Sequence, residues 1–225
     1  MNIVRTDPFS FEELENIQLE TTEFEGKRYY IDQNGQKYPS VTTVTGLHSR
    51  EQIKLWRQRV GEEEANRITK AATTRGTKFH EKVEHYLRKD VPFLEFDNLI
   101  EEAMFKGVQP ILDDISPLSI ESPLYSDMLR MAGRVDCIGL FDDALQIIDF
   151  KTSGKWKEEK YAKGYFLQMT AYAIMVEELT GHPIDECTAI VALPDGNCQL
   201  FSCDPVDYVE ELQQLRRQYY NLYGV

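Results

Sequence analysis

The chain has 225 residues, of which 42% are hydrophobic and 28% are charged, and its formal net charge is −13. This length and balance are typical of a soluble globular protein with one substantial core, and the acidic excess argues against a protein that coats nucleic acid. The sequence has no apolar run of membrane-spanning length, and its N-terminus resembles neither a signal peptide nor a transit peptide. We therefore expect a cytoplasmic protein with no membrane partner.

The N-terminal part of the chain is acidic and then β-rich. The first 26 residues contain many glutamates and few apolar side chains, which predicts a solvated surface segment with at most a short helix. Asn-Gly at positions 34 and 35 separates two β-like runs, 27–32 and 36–38, and favours a tight hairpin. Ser40 then caps a predicted helix, whose free amides and hydroxyl could also bind an anion. Simple capping explains Ser40 equally well.

Two helices are predicted over residues 52–72 and 75–88, with Thr73 or Thr74 capping the second. Between residues 50 and 89, eleven Lys and Arg residues stand against six Glu residues, so this stretch carries +5 and the rest of the chain −18. A basic strip on an acidic body suits a protein that holds a single strand in one channel. The alternative is a solvated helix face whose glutamates already pair with its arginines.

His80 and Glu84 lie one turn apart on the same face of the second predicted helix, whereas His85 faces away. A single helical histidine is usually an ordinary surface or core residue. The next helix is predicted over residues 97–114, with Ile100 at the start of an apolar stripe that faces the core.

A β-hairpin is predicted near the middle of the chain. Two β-rich runs, 129–141 and 144–151, flank an Asp-Asp pair of the kind that forms tight turns. Alternate residues of a strand share a face, so Asp149 lies beside Lys151, and pairing across the turn can bring Asp136 close to both. Two carboxylates and a lysine would then converge where hard cations such as Mg²⁺ could bind. The alternative is an ordinary Asp–Lys surface pair.

The C-terminal part alternates helices and strands. A helix is predicted over residues 161–179, strands over 186–193 and 197–203, and a last helix over 206–222 with an apolar stripe for the core. A further strand over 118–125 precedes the central hairpin. This order predicts an α/β fold with a mixed central sheet and a basic helical lobe before it.

The central hairpin resembles the signature of the PD-(D/E)xK nucleases in its RecB-like form, since Asp136, Asp149 and the run I-D-F-K-T at 148–152 match that motif. The most similar branch is that of the mitochondrial genome maintenance exonuclease and related phage exonucleases, which fits a phage or bacterial origin. If the protein is phage-encoded, we expect it in the host cytoplasm. Other pieces of the family pattern follow in order: P-S-V-T at 39–42, R-G-T-K-F-H at 75–80, I-E-S at 120–122 and Q-x3-Y at 168–172.

The resemblance implies a restriction-endonuclease-like fold and a set of site residues. It implies that His80, Asp136, Asp149 and Lys151 are catalytic, with Lys151 orienting a water or stabilising the transition state. It implies a metal site of His80, Asp136, Asp149 and the Phe150 carbonyl, with Glu121 as a further candidate. The candidate DNA-binding residues, from the resemblance or from the basic strip, are Ser40, Thr42, Lys54, Trp56, Arg57, Arg59, Arg75, Thr152, Lys155, Gln168 and Tyr172.

Two of these candidates also have ordinary interpretations. Trp56 could stack on a base, although a tryptophan in such a helix is more often a core residue. Tyr172, taken alone, is also more typical of a core.

We therefore expect an exonuclease that depends on one or two Mg²⁺ or Mn²⁺ ions and degrades DNA, preferably single-stranded or flap DNA. It would be one nuclease domain over residues 1–225, with an acidic segment (1–26), a helical DNA-binding or arch portion (40–90) and a catalytic core (115–225). The basic strip of the helical portion would form a wall or arch over the metal site. Replication or recombination proteins are expected partners. Two alternatives remain: a catalytically silent nuclease fold that serves as a DNA-binding module in such a complex, and a structure-specific endonuclease or resolvase.

The four cysteines, Cys137, Cys187, Cys198 and Cys203, have no C-x2-C spacing and fall mainly in predicted strands. This indicates reduced thiols rather than disulfides. The cysteines also lack the arrangement that holds an iron–sulfur cluster in some RecB-like nucleases, so we expect no such cluster.

Overall fold

The computed structural model describes residues 8–225. Its α-helices are α1 (Phe11–Leu14), α2 (Val41–Thr45), α3 (Arg50–Val60), α4 (Glu62–Arg88), α5 (Leu99–Asp113), α6 (Lys163–Thr180) and α7 (Val209–Tyr223). Its β-strands are β1 (Glu20–Phe24), β2 (Lys27–Ile31), β3 (Lys37–Pro39), β4 (Ser116–Ser126), β5 (Met131–Phe141), β6 (Ala144–Thr152), β7 (Glu186–Ala192) and β8 (Cys198–Cys203). None of the helices within residues 8–225 is long and apolar enough to cross a membrane.

A five-stranded mixed sheet in the order β4-β5-β6-β7-β8 forms the centre of the fold. Among the strands of this sheet within residues 8–225, β6 and β7 are the one parallel pair, and α6 provides the crossover that a parallel pair requires. Buried side chains of α6 and α7 form one hydrophobic cluster with the sheet, and those of α4 and α5 form a second cluster with it. The predicted α/β class with a mixed central sheet is therefore confirmed.

The predicted central hairpin is β5 and β6. Asp142 and Asp143 have positive φ angles of 49° and 60°, as the two central residues of a type I′ turn require. Ile148 and Phe150 pack into the cluster with α4 and α5, whereas Ile147 packs on the opposite side of the sheet. Both faces of β6 are therefore covered, which is typical of a strand in the middle of an α/β sheet.

The N-terminal segment is more structured than predicted. Residues 1–7 lie outside the described residues, but Leu14 is fully buried and β1 adds a third strand to the predicted β2–β3 hairpin. Because β1 has the sequence ETTEF and is largely exposed, it lacks the apolar alternation by which strands are recognised. The expectation of a solvated segment with at most a short helix was wrong in this respect.

The boundary between the two basic helices lies at Gly61. This residue has φ 87° and ψ 148°, a conformation that glycine adopts at little cost, and three glutamates in the first turn of α4 favour a helix start there. Thr73 and Thr74 are interior residues of α4. The predicted boundary at these threonines was therefore wrong, because both threonines continue the helix whereas Gly61 has a non-helical conformation.

Three residues predicted to face the core are exposed instead. Ile100 lies in the first turn of α5 and is 55% exposed, and Val206 and Leu222 near the ends of the last helical segment are 74% and 49% exposed. In each case the apolar stripe continues beyond the sheet that it covers. Helical periodicity identifies the correct face but not the point at which the neighbouring layer ends.

Candidate active site

Strands β5 and β6 separate next to Asp136 and Asp149, two of the candidate residues that the sequence predicts. Strands β5 and β6 pair from the turn as far as Cys137 and Ile148. One residue further along, the carboxylate Oδ2 of Asp136 accepts a 2.9 Å hydrogen bond from the backbone N–H of Phe150. A side chain thus replaces the next bond of the ladder, and the two strands separate into a fork.

Asp149 and Lys151 form the deep wall of this fork. Asp149 is 1% exposed, and its Oδ1 accepts hydrogen bonds from Lys151 Nζ at 2.6 Å and from Gln168 Nε2 at 3.0 Å. The other oxygen, Oδ2, also lies 2.6 Å from the ammonium, but among the described residues it accepts no hydrogen bond of normal geometry. This buried oxygen is therefore in contact with the ammonium, but it still has lone pairs that a cation could use.

His80 and Glu121 approach Asp136 from two other elements. His80 comes from α4 and its Nδ1 lies 3.5 Å from Asp136 Oδ2. Glu121 lies on β4 between residues that pair with Val135 and Cys137, so it stands opposite Asp136. One ligand atom from each of His80, Glu121 and Asp136 lies within 4.8 Å of the others, and this is the one such cluster of His, Cys, Asp or Glu within residues 8–225.

Burial and mutual repulsion change the protonation of these carboxyls. Burial, and after it the negative charges of Asp136 and Glu84, raise the pKa of Glu121 from 4.5 to about 7. Burial also raises the pKa of Asp149 to about 6, against the opposing effect of Lys151. Carboxyls that share one small volume and resist ionisation are ready to bind a cation, which would relieve their repulsion.

Lys151 keeps its proton in this environment. Burial alone would lower the pKa of its ammonium, but the carboxylates of Asp149 and Asp136 outweigh burial and the pKa is raised. Lys151 is therefore a cation at neutral pH that also lines the cleft in front of the fork.

The fork opens into a cleft of about 1000 Å³. The predicted residues Ser40, Thr42, Lys151, Gln168 and Tyr172 all line it, together with one face of α4. Ser40 is the N-cap of α2, as predicted, and its Oγ accepts a hydrogen bond from Thr43 N at 3.1 Å. Gln168 does more than line the cleft, because it also holds Asp149.

Tyr172 belongs to both the core and the cleft. It is 2% exposed, and its ring lies so close to β5 that a Cβ added to Gly133 would stand 2.8 Å from Tyr172 Cε1. Because Gly133 has no side chain, Tyr172 can pack on β5, the strand that carries Asp136. The Q-x3-Y pair therefore supports the fork from α6.

Several predicted DNA-binding residues lie away from this cleft. Lys54, Trp56, Arg57 and Arg59 belong to α3 and are not among the cleft residues. Arg57 is bound to Glu62 and donates a 2.6 Å hydrogen bond to Asn66 Oδ1. For this arginine the alternative of a salt-bridged helix face is the better description.

Arg75 and its neighbours face a different groove. Arg67, Lys70 and Arg75 line a groove between α4 and α5 with a volume of about 620 Å³, whereas His80 faces the cleft. This differs from the expected wall over the metal site. Arg75 still contacts the end of β6, because its Nε donates a 3.3 Å hydrogen bond to Thr152 Oγ1. Lys155 is exposed in the loop that follows.

Sequence reasoning missed several residues of the cleft. Arg28 and Tyr30 reach it from β2, and Arg134 and Glu81 from β5 and α4. A charged residue two positions before Asp136 was a usable signal for Arg134. Nothing in the local sequence predicted Arg28 and Tyr30, because they lie on the separate three-stranded sheet and reach the cleft only through the tertiary packing of the two sheets.

Comparison with known proteins shows that the chain is similar to nucleases. The sequence model of the PD-(D/E)XK nuclease superfamily matches residues 49–218. The chain is 31% identical to Mitochondrial genome maintenance exonuclease 1 of Homo sapiens over 174 residues, which cover 71% of this chain and 50% of that protein. It is 30% identical to the Xenopus tropicalis protein of the same name over 161 residues, with coverages of 64% and 44%.

The chain thus spans about half the length of the curated relatives that it matches. Among solved structures, a candidate exonuclease from Eubacterium rectale is similar at a TM-score of 0.43 and 14% sequence identity, over 64% of each chain.

Proposed function

Because the chain belongs to the PD-(D/E)XK nuclease superfamily, we propose that it is a divalent-metal-dependent DNA exonuclease that acts on single-stranded or flap DNA. One observation carries this proposal. Ligand atoms of His80, Glu121 and Asp136 gather within 4.8 Å, next to a buried Asp149–Lys151 pair and at the edge of a cleft of about 1000 Å³.

The residues present fit a hard divalent cation. Carboxylate oxygens are the ligands that Mg²⁺ and Mn²⁺ prefer, and a single imidazole favours Mn²⁺. Glu121 and Asp136 stand on neighbouring strands, where two like charges destabilise a sheet, and Asp149 Oδ2 is buried without a hydrogen bond. A cation would satisfy all three oxygens, so we assign His80, Asp136 and Asp149 as its ligands, with Glu121 and the Phe150 carbonyl as further ones.

The side chains around this site have separate roles. When bound, a divalent ion lowers the pKa of a water in its coordination sphere and offsets negative charge on the phosphate. Lys151 supplies a fixed positive charge that can orient the attacking water or stabilise charge on the phosphate. Gln168 holds Asp149 at 3.0 Å, and the Phe150 amide holds Asp136 at 2.9 Å. Both carboxylates are thus fixed before the substrate arrives.

The lining of the cleft supports a single-stranded substrate. Arg28 and Arg134 line the cleft, and cations that contact the phosphate backbone are one part of single-strand binding. Tyr30 and Tyr172 are buried, so they shape the cleft rather than stack on bases. DNA that has unpaired ends, such as a flap, would present the same chemistry. The relatives named as exonucleases favour removal of nucleotides from an end over internal cutting.

Digestion of end-labelled DNA tests the proposal. We expect the full chain to degrade 5′- and 3′-labelled single strands with Mg²⁺ or Mn²⁺, and to stop when EDTA is added. Asp149→Asn, a nearly isosteric change that removes the buried charge, should abolish degradation and leave the circular dichroism spectrum unchanged. Undiminished activity of Asp149→Asn, or activity in excess EDTA, would contradict the assignment.

Two further substrates separate the alternatives. Rapid cutting of closed circular single strands would identify an endonuclease, because such DNA has no end. Tight binding of single strands without any degradation in either metal would identify a catalytically silent binding module.

A further inference from the structure

Glu121 has an unusual backbone conformation for a residue within a strand. Its φ angle is +50°, which lies in the left-handed region that residues with a Cβ rarely adopt. The residues on either side pair normally with β5, Ile120 with Cys137 and Ser122 with Val135. The distortion is therefore confined to the one residue of β4 that reaches the proposed metal site.

Three charged side chains bind the two residues at this distortion. Glu15 Oε1 accepts a 2.9 Å hydrogen bond from Ile120 N–H, and Arg88 Nη2 donates a 2.7 Å hydrogen bond to the Ile120 carbonyl. Arg134 Nη1 donates a 2.6 Å hydrogen bond to the Glu121 carbonyl. Each of these bonds joins an ionised side chain to the backbone, and such bonds are about twice as strong as neutral ones.

The first two of these side chains are also joined to each other. Arg88 Nη1 lies 3.0 Å from Glu15 Oε2, and Arg88 Nε lies 3.0 Å from Glu84 Oε1. Since β4 is the edge strand of the sheet, Ile120 can direct its N–H and C=O away from β5 to these partners. Glu15 directly follows α1, so the acidic N-terminal segment contributes to this contact.

We propose that Glu15, Arg88 and Arg134 are positioning residues, which hold Glu121 in its left-handed conformation and so direct its carboxylate toward the metal. A residue held in a disfavoured backbone conformation near a site needs surrounding contacts that over-determine it, and these three side chains supply them. Outer partners that orient metal ligands commonly affect metal affinity. The inference rests on the proposed function, because it assumes that a divalent ion binds at His80, Glu121 and Asp136.

Calorimetric titration of the full chain with Mn²⁺, in the absence of DNA, tests this proposal. Glu15→Ala and Arg134→Ala should each weaken Mn²⁺ binding by about tenfold, the lower end of the effect expected of an outer partner. Glu15→Gln keeps an acceptor for Ile120 N–H but loses the ion pair with Arg88, so its affinity should lie between those of wild type and Glu15→Ala. Glu102→Ala, which removes an exposed pair with Lys106, is the matched control and should bind Mn²⁺ as wild type does.

A double-mutant cycle separates positioning from general destabilisation. If Glu15 and Arg134 act through Glu121, neither substitution should weaken Mn²⁺ binding further in a Glu121→Gln background. Equal weakening in both backgrounds, or affinities within about twofold of wild type in both single variants, would overturn the proposal. Arg134 is exposed, so Arg134→Ala remains a test if Glu15→Ala does not fold.

The result also distinguishes this proposal from the proposed function. A wild-type protein that binds no Mn²⁺ refutes the metal site itself. A wild-type protein that binds Mn²⁺ and degrades DNA, together with single variants of normal affinity, refutes only the positioning role.

Discussion

Glu121→Gln should stabilise the metal-free protein at pH 8 and have little effect near pH 4.5. Burial and the neighbouring Asp136 raise the pKa of Glu121 from 4.5 to about 7 in the folded chain. A carboxyl with a raised pKa holds its proton more tightly when folded, so the free energy of unfolding falls as the pH rises through this interval. At about 1.4 kcal/mol per pH unit, the loss amounts to at most roughly 3 kcal/mol. Glutamine resembles the protonated acid at every pH and avoids this loss.

Urea unfolding in EDTA, followed by circular dichroism, measures the effect. At pH 8 the variant should exceed wild type in unfolding free energy by up to about 3 kcal/mol, and at pH 4.5 the two should nearly coincide. Added Mn²⁺ should then raise the urea midpoint of wild type much more than that of the variant. A difference within about 0.5 kcal/mol at pH 8, as for an ordinary surface substitution, would refute the reasoning. An equal gain at both pH values would show that packing, not charge, is responsible.

Two further substitutions test packing and DNA contact. Gly133→Ala should lower the free energy of unfolding by about 1–3 kcal/mol, because its Cβ would lie 2.8 Å from the Tyr172 ring. Gly164→Ala, whose Cβ meets open space, is the control and should not destabilise the protein. Equal urea midpoints for Gly133→Ala and wild type would contradict the close contact. Arg75→Glu should weaken binding of a labelled single strand and lower the salt slope of that binding by about 0.7 if this arginine touches one phosphate. Arg57 is already paired with Glu62, so Arg57→Glu should change the slope less. An unchanged slope for Arg75→Glu would exclude the phosphate contact.

The parts of the fold that local chemistry determines were predictable from the sequence. The type I′ turn at Asp142 and Asp143 and the cap at Ser40 follow from residue types that few other conformations suit. The helix boundary at Gly61 was predictable from its residue type in the same way, but the predicted boundary lay at Thr73 or Thr74. Strand β1 was missed because its exposed, polar sequence forms a strand only through pairing with β2.

The candidate site was predictable only as far as its motif extends. The family pattern names Asp136, Asp149 and Lys151, and the hairpin register explains why they meet. The pattern contains no information on Glu15 and Arg88, which stand 105 and 32 positions from Ile120 in sequence and contact its backbone. Contacts of this kind depend on how α1 and α4 pack against the edge strand, and no local periodicity encodes that packing.

The charge of the cleft shows what the proposed metal would contribute to the binding of a phosphate backbone by an acidic protein. Three cationic side chains line the cleft, Arg28, Arg134 and Lys151, against four carboxyls, Glu81, Glu84, Glu121 and Asp136. With Asp149, which pairs with Lys151 behind this lining, the ionised site would carry about two negative charges and repel phosphate, and one divalent ion would neutralise it. Metal and DNA should therefore increase each other's affinity by the same factor, as linkage requires. On a chain with a net charge of −13, such coupling would restrict phosphate binding to the place where the metal is bound.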